Sequence, residues 1–167
     1  CPERLAPGNG LEDFTMNSRL IGAFDIEGSV LSKALFERVI KGKLIVTDVG
    51  SAEISKLAEN TFRFVNIAFA NELARICKQI GVDVKEVIRL ANTHPRVNIH
   101  QPGSGAGGPC LTKDSKMLLN TSKKGAYKTV VIPAAIKVNA DMPRYIADLA
   151  MEGLRRAGKK PSKCKVS

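Results

Sequence analysis
A chain of 167 residues, 44% hydrophobic and 25% charged, can bury an ordinary core in one domain or slightly more. Those fractions exclude a collagen-like chain, a disordered tail and a disulfide-stapled miniprotein, and no apolar run approaches the roughly 20 residues that span a bilayer. The 26 Lys and Arg outnumber the 16 Asp and Glu to leave +10, a balance that points to an anionic partner, with nucleic acid the first candidate, though phosphate of any kind, including a nucleotide's, also suits a basic surface.

In chain order, Leu20-Ile21-Gly22 is a short apolar run expected to be a strand. Leu31, Leu35 and Val39 have helical spacing in a segment that runs to Ile40 and ends at Gly42, and Leu44-Ile45-Val46 is a second expected strand. Two short strands do not make a free-standing sheet, so residues 1–50 read as an α/β segment of a larger sheet. Ser51 is the expected N-cap of a long helix, with Glu53 in its first turn. Ile54, Leu57, Ala58, Phe62, Val65 and Phe69 open an apolar 3.6-residue period that continues through Leu73, Ile76, Cys77 and Ile80 and stops at Gly81. At about 1.5 Å per residue this rod is about 45 Å long, a length suited to crossing a domain boundary or building an oligomer interface.

Asp83-Val84-Lys85-Glu86 reads as a capping box for a helix ending near Asn92. A Gly/Pro-rich loop carrying His94, Arg96 and His100 follows, then a helix expected to begin near Thr112 and run to Lys124 with Met117, Leu118 and Leu119 facing inward. Val130 to about Ala157 is another long helical pattern, expected to kink at Pro143 and end at Gly158. Lys159, Lys160, Lys163 and Lys165 crowd the tail, where Cys164-Lys165-Val166 reads as the first residues of a strand.

Gly103-Ser-Gly-Ala-Gly-Gly108 satisfies GxGxxG literally, but the dinucleotide fingerprint needs a strand before it and an acidic residue about 20 positions on. Gln101-Pro102 precedes this loop, and positions 127 and 128 are Tyr and Lys. Its glycines still imply close backbone approach, either to a ligand or to another segment of the chain. Cys110 directly follows at the expected start of a helix, where the helix N-terminus favours a thiolate; Lys113 adds positive charge and Asp114 a carboxylate one turn on. A thiol so placed is a candidate nucleophile, against the alternative of an inert loop cysteine. Lys56 and Asn60 are four apart on the long helix and share a face with Glu53, as a reactive stripe or a merely solvated one. Arg96 can meet phosphate or carboxylate with its planar fork. Cys1, Cys77, Cys110 and Cys164 lack zinc spacing, the two histidines have no second ligand, and no metal site is expected; Cys77 reads as core, and the reading is of a reduced, cytoplasmic protein.

Taken together and in order, Glu53-Ile-Ser-Lys56-Leu-Ala-Glu-Asn60, Ala70-Asn71-Glu72-Leu73, Pro102-Gly-Ser-Gly-Ala-Gly-Gly-Pro-Cys110-Leu-Thr-Lys-Asp114 and Lys137-Val-Asn139 resemble the UDP-glucose/GDP-mannose dehydrogenase family, specifically its central helical domain, over nearly the whole chain. His94-Pro-Arg-Val-Asn-Ile99 is most similar to the branch acting on UDP-N-acetylmannosamine and related sugars. The resemblance implies a mainly α fold: residues 1–50 as the tail of an NAD-binding Rossmann domain, 51–158 as a helical dimerisation and catalytic domain, and 159–167 as the start of a UDP-binding domain. It implies oxidation of a UDP-sugar C6 alcohol to the acid with two NAD, in a homodimer, without nucleic acid or membrane.

In that reading Cys110 attacks the aldehyde to form a thiohemiacetal that is oxidised to a thioester. Lys56 and Asn60 hold developing oxyanion charge, Asp114 orients water or acts as base, and Glu3 of Cys1-Pro2-Glu3 helps hydrolysis. Gly103, Gly105, Gly107 and Gly108 approach the sugar nucleotide, and Arg96 reaches the substrate of the neighbouring subunit. The chain departs from the family at Pro7, where the UDP-glucose branch often has a second Glu. Pro109 stands where the N-acetylhexosamine branch usually has His, and Lys113 follows the UDP-glucose pattern, so the sugar stays open. Two other readings stand beside it: a dimerisation module inactive on its own, and a basic nucleic-acid binder, which lacks an RNP motif, zinc spacing or an aromatic platform.

Overall fold
The computed structural model describes residues 1–5, 8–122 and 125–164. Its elements in order are α1 (Gly10–Met16), β1 (Arg19–Ala23), α2 (Ile26–Phe36), β2 (Leu44–Asp48), α3 (Val49–Ile80), α4 (Val84–Ala91), α5 (Pro109–Ser122) and α6 (Val131–Arg156), followed by a 3-10 turn at Pro161–Lys163. The fold is mainly α, with 63% of the described residues helical, one long helix and a small parallel sheet, as the sequence implies. It forms two compact units, Cys1–Glu59 and Asn60–Ser167, and the division falls inside α3.

In the first unit β1 and β2 pair in parallel, with Ile21 opposite Val46, and α2 is the crossover that parallel pairing requires. Leu20, Ile21, Ile40 and Ala52 are buried. The Arg19 guanidinium is buried over the Phe14 ring, 4.5 Å from its centroid, and within 5.9 Å of Phe36. Arg4 meets both carboxylate oxygens of Glu59. Helix α2 begins at Ile26, five residues before the first periodic leucine, because the Asp25 carboxylate caps it by accepting from the Gly28 N–H at 2.6 Å. Helix α1 escaped the sequence reading because it buries no residue and so has no core-facing stripe.

The cap of α3 also differs from expectation. Asp48, not Ser51, accepts from the Ser51 N–H at 2.8 Å, so the helix starts at Val49 and Glu53 falls beyond its first turn. Its far end closes as expected at Gly81, where φ is +77° and the Val82 N–H returns to the Cys77 carbonyl at 3.0 Å. Gly158 closes α6 by the same device.

The core of the second unit is Phe64 and Ala68 of α3 with Ala135 of α6, flanked by Val65, Ala106, Leu111, Ile136 and Val138. Cys77 is buried, as expected for a core cysteine. The apolar stripe read from the sequence, however, is largely outside that core: Phe62, Phe69, Ile76 and Ile80 are 67%, 51%, 47% and 67% exposed. At about 100° per residue they lie across the helix from Asn60, Phe64 and Asn71, which are buried. Helix α3 therefore has two ordered faces, and the inward one is partly polar. Asp83 caps α4 through the Lys85 N–H, but the Glu86 carboxylate engages Arg89 instead of completing a reciprocal box. Met117 is exposed, not inward. Helix α6 continues through Pro143. The expected extension of α5 to Lys124 and the strand at Lys165-Val166 lie outside the described residues, as does Pro7.

Candidate active site
Proline at a first helical position needs no N–H partner, and Pro109 starts α5 three residues earlier than Thr112. Cys110 is thereby inside the first turn, exposed, with the Thr112 hydroxyl donating to the Gly108 carbonyl at 2.8 Å beside it. One turn on, Asp114 is buried on the side of α5 that meets α3. Burying a carboxylate is costly without a donor, and the Asn60 amide supplies one: Nδ2 donates to Asp114 Oδ2 at 2.6 Å. Lys113 Nζ stands 4.0 Å from the other oxygen. Asn60 and Asp114 are 54 residues apart in sequence and belong to two separate motifs.

Lys56 precedes Asn60 by one helical turn on the same continuous α3, half-buried. It belongs to the first unit, as does Glu3, an exposed carboxylate that accepts from the Arg4 N–H at 2.6 Å. The second unit by itself thus brings together Asn60, Cys110 and Asp114.

The loop between α4 and α5 contains no strand, which disposes of the literal GxGxxG match. Two of its glycines serve packing and turning. Gly105 has φ +102°, and a Cβ there would stand 2.5 Å from the Asn139 carbonyl oxygen of α6. Gly108 has φ +80° at the entry to α5. Gly103 and Gly107 have nothing within 4 Å of where a Cβ would project, leaving their backbone approachable. Among the described residues this loop therefore lacks the strand–glycine turn–helix cradle that fits a dinucleotide.

Arg96 is exposed and lines an apolar groove of about 300 Å³ with Phe62, Val65, Phe69, Val97 and Ile99. Among the described residues Arg96 makes no ion pair. His94 Nδ1 lies 3.3 Å from the Arg96 N–H, and no group of three or more His, Cys, Asp or Glu among the described residues could hold a metal.

Motif reading gave no role to a set of asparagines. Asn66 accepts from the His100 N–H at 2.8 Å and donates to the Asn98 carbonyl at 2.7 Å. Asn92 does the same to both backbone groups of Ile99, at 2.7 and 3.0 Å. Asn71 accepts from the Gly103 N–H at 2.7 Å. Of these only Asn71 is a polar residue at a core position of α3, which burial and not the sequence reveals.

Comparison with known proteins places the chain in a family. The pattern of the UDP-glucose/GDP-mannose dehydrogenase family, central domain, matches residues 50–141, and the chain belongs to that family. It is 45% identical over 162 residues to a UDP-N-acetyl-D-mannosamine dehydrogenase of Pyrococcus horikoshii, covering 97% of this chain and 38% of that protein. An NDP-N-acetyl-D-galactosaminuronic acid dehydrogenase of Ralstonia nicotianae is also 45% identical, over 93% of this chain and 36% of its own length. Among solved structures, the UDP-D-ManNAc dehydrogenase of Pyrococcus horikoshii superposes with a TM-score of 0.89 at 44% identity, over 98% of this chain and 38% of that one. The UDP-glucose dehydrogenase of Pyrobaculum islandicum gives 0.84 at 31%, over 92% and 36%. The chain thus spans little more than a third of the length of these relatives.

Proposed function
We propose that this chain is the central part of a nucleotide-sugar dehydrogenase that oxidises the C6 alcohol of a UDP-sugar to the uronic acid, with an N-acetylhexosamine favoured by the names of its relatives. The observation that carries the reading is the 2.6 Å bond between Asn60 and the buried Asp114, one turn beyond the exposed Cys110 thiol. NAD is the hydride acceptor in this reading, held by a domain of which residues 1–50 are only the end. A substrate aldehyde at the mouth of α5 meets the Cys110 sulfur and forms a thiohemiacetal, whose oxygen is held by the cation of Lys56 and the amide of Asn60. Oxidation of that adduct leaves a thioester, and Asp114, fixed by Asn60, orients the water that releases the acid, with Glu3 assisting. The exposed backbone at Gly103 and Gly107 faces the sugar nucleotide. The reading has residues 1–50 as the end of the cofactor domain, 51–158 as the catalytic and dimerisation domain and 159–167 as the start of a nucleotide-binding domain. A reducing, cytoplasmic compartment suits four free thiols.

The exposed stripe Phe62-Phe69-Ile76 and the Arg96 groove support a homodimer through α3, with Arg96 reaching the partner's substrate. On its own the 167-residue chain is then a dimerising module without turnover. Reading the coding sequence on both sides of these 167 codons tests the first claim; a strand followed by GxGxxG upstream is expected. In the protein encoded there, Cys110→Ala abolishes acid formation while UDP-sugar still binds by calorimetry. Normal turnover by that variant refutes the thiol mechanism, and NAD reduction by the 167-residue chain refutes the inactive-module reading.

A further inference from the structure
The Asn71 side chain is fully buried in the middle of α3, where an apolar residue would be cheaper to desolvate. Its polar atoms belong to a chain of three hydrogen bonds. The Gly103 N–H donates to Asn71 Oδ1 at 2.7 Å, Asn71 Nδ2 donates to Asn139 Oδ1 at 3.1 Å, and Asn139 Nδ2 donates to the Phe64 carbonyl at 3.2 Å. The direction of this relay is set at both ends. A backbone N–H can only donate and a carbonyl can only accept, so flipping either amide would set donor against donor or acceptor against acceptor. Both asparagines are therefore locked in one orientation, and the Gly103 backbone with them.

The same relay fixes the loop at a second point. Gly105 presses against the backbone carbonyl of Asn139, whose side chain is the middle link, and Ala106 packs on the Phe64–Ala68–Ala135 core. Upstream, Asn66 and Asn92 hold residues 98–100 by their backbone, as partner strands would. From Gly103 to Ala106 the loop is thus bound to α3 and α6, and beyond it Gly107 and Gly108 lead to Cys110.

We propose that Asn71, working through Asn139, is a positioning residue for catalysis: it fixes the backbone path that presents the Gly-rich loop to the sugar nucleotide and delivers Cys110 at the start of α5. The proposal rests on the reading of Cys110 as nucleophile. Nothing reactive passes through Asn71; its effect is on the geometry of the loop, where a displacement of about 1 Å can cost about 100-fold in rate.

Two variants and one control test it. Asn71→Leu removes the acceptor for Gly103. Asn71→Asp keeps that acceptor but gives up the donor to Asn139 Oδ1 and buries a charge, so it is the less stable of the two. Cys77→Ala cavitates the same helix at a buried position away from the loop. In the 167-residue chain, amide exchange at Gly103 followed by NMR is expected to accelerate about 10-fold or more in the leucine variant and to stay slow in the aspartate variant. In the full enzyme, the leucine variant loses about 100-fold in kcat/KM for UDP-sugar with KM for NAD unchanged. The aspartate variant recovers most of that loss despite its lower Tm, and Cys77→Ala leaves kcat/KM near wild type. Slow Gly103 exchange in the leucine variant, or activities that simply follow Tm across the three variants, overturns the proposal. If the wild-type enzyme oxidises no UDP-sugar, the dehydrogenase reading fails and the catalytic role with it, while Gly103 exchange still decides whether the clamp exists.

Discussion

Replacing Gly105 with alanine brings two separate penalties that the structure lets one size. The new methyl carbon stands 2.5 Å from the Asn139 carbonyl oxygen and 3.5 Å from Met142 Cβ. Carbon and carbonyl oxygen ordinarily meet no closer than about 3.3 Å, so the loop or α6 must retreat by roughly 0.8 Å. Displacing a packed helix in this way costs about 1–3 kcal/mol. The backbone at Gly105, with φ +102°, lies in a region that residues with a Cβ adopt only at a further cost of about 1–3 kcal/mol. Together these give a loss near 4 kcal/mol, or a fall in Tm of about 10 °C for a chain of this size. Gly107→Ala is the control, because it has open space around it and no left-handed φ. It should be neutral or stabilising by up to about 1 kcal/mol through the unfolded state. Urea unfolding followed by far-UV circular dichroism reads both. A Gly105→Ala variant within about 1 kcal/mol of wild type, or one no worse than Gly107→Ala, would show that the loop does not press on α6 as described.

The remaining predictions concern the outer surface. Phe69→Asp, alone or with Phe62→Asp, should give a monomer in sedimentation velocity with an unchanged circular dichroism spectrum, because both side chains are outside the core; an unaltered dimer, or a wild-type chain that is already monomeric, removes α3 from the interface. Glu152 accepts from Lys78 Nζ at 2.8 Å and sits beside Arg156, and these hold its pKa below the ordinary 4.5. Since the folded pKa is the lower one, its contribution is present above the unfolded value and disappears as pH falls through the folded value. Glu152→Gln should therefore lower Tm at pH 7, and the gap should close as pH falls through the folded pKa, below the ordinary 4.5; a gap that stays constant with pH contradicts the ion-pair assignment.

Much of the fold was legible because its signals are local. The β-branched run at Leu44-Ile45-Val46, the periodicity of α3 and its stop at Gly81 depend on neighbouring residues alone, and each is present. Errors of two to five residues came from caps, where several polar side chains compete for the same N–H groups. Asp48 takes the Ser51 N–H that Ser51 itself was expected to cap around, and Asp25 starts α2 ahead of its leucines. In the site, Asn60, Cys110 and Asp114 were each legible from motif order, but the bond between Asn60 and Asp114 was not, because it joins residues 54 apart that meet only in the folded chain.

Sequence by itself determined that α3 is amphipathic, that the loop glycines imply close approach, and that a thiol and a carboxylate share one face of α5. Only the tertiary structure decided which face of α3 is buried. A 3.6-residue period marks an apolar stripe but carries no record of what covers it, and here Phe62, Phe69 and Ile76 face outward while Asn60, Phe64 and Asn71 face in. The tertiary structure likewise resolved the glycines, giving Gly105 to α6 and leaving Gly103 and Gly107 approachable. It alone revealed the asparagine clamps, since a hydrogen bond between Asn71 and Gly103, 32 residues apart, exists only once the chain has closed on itself.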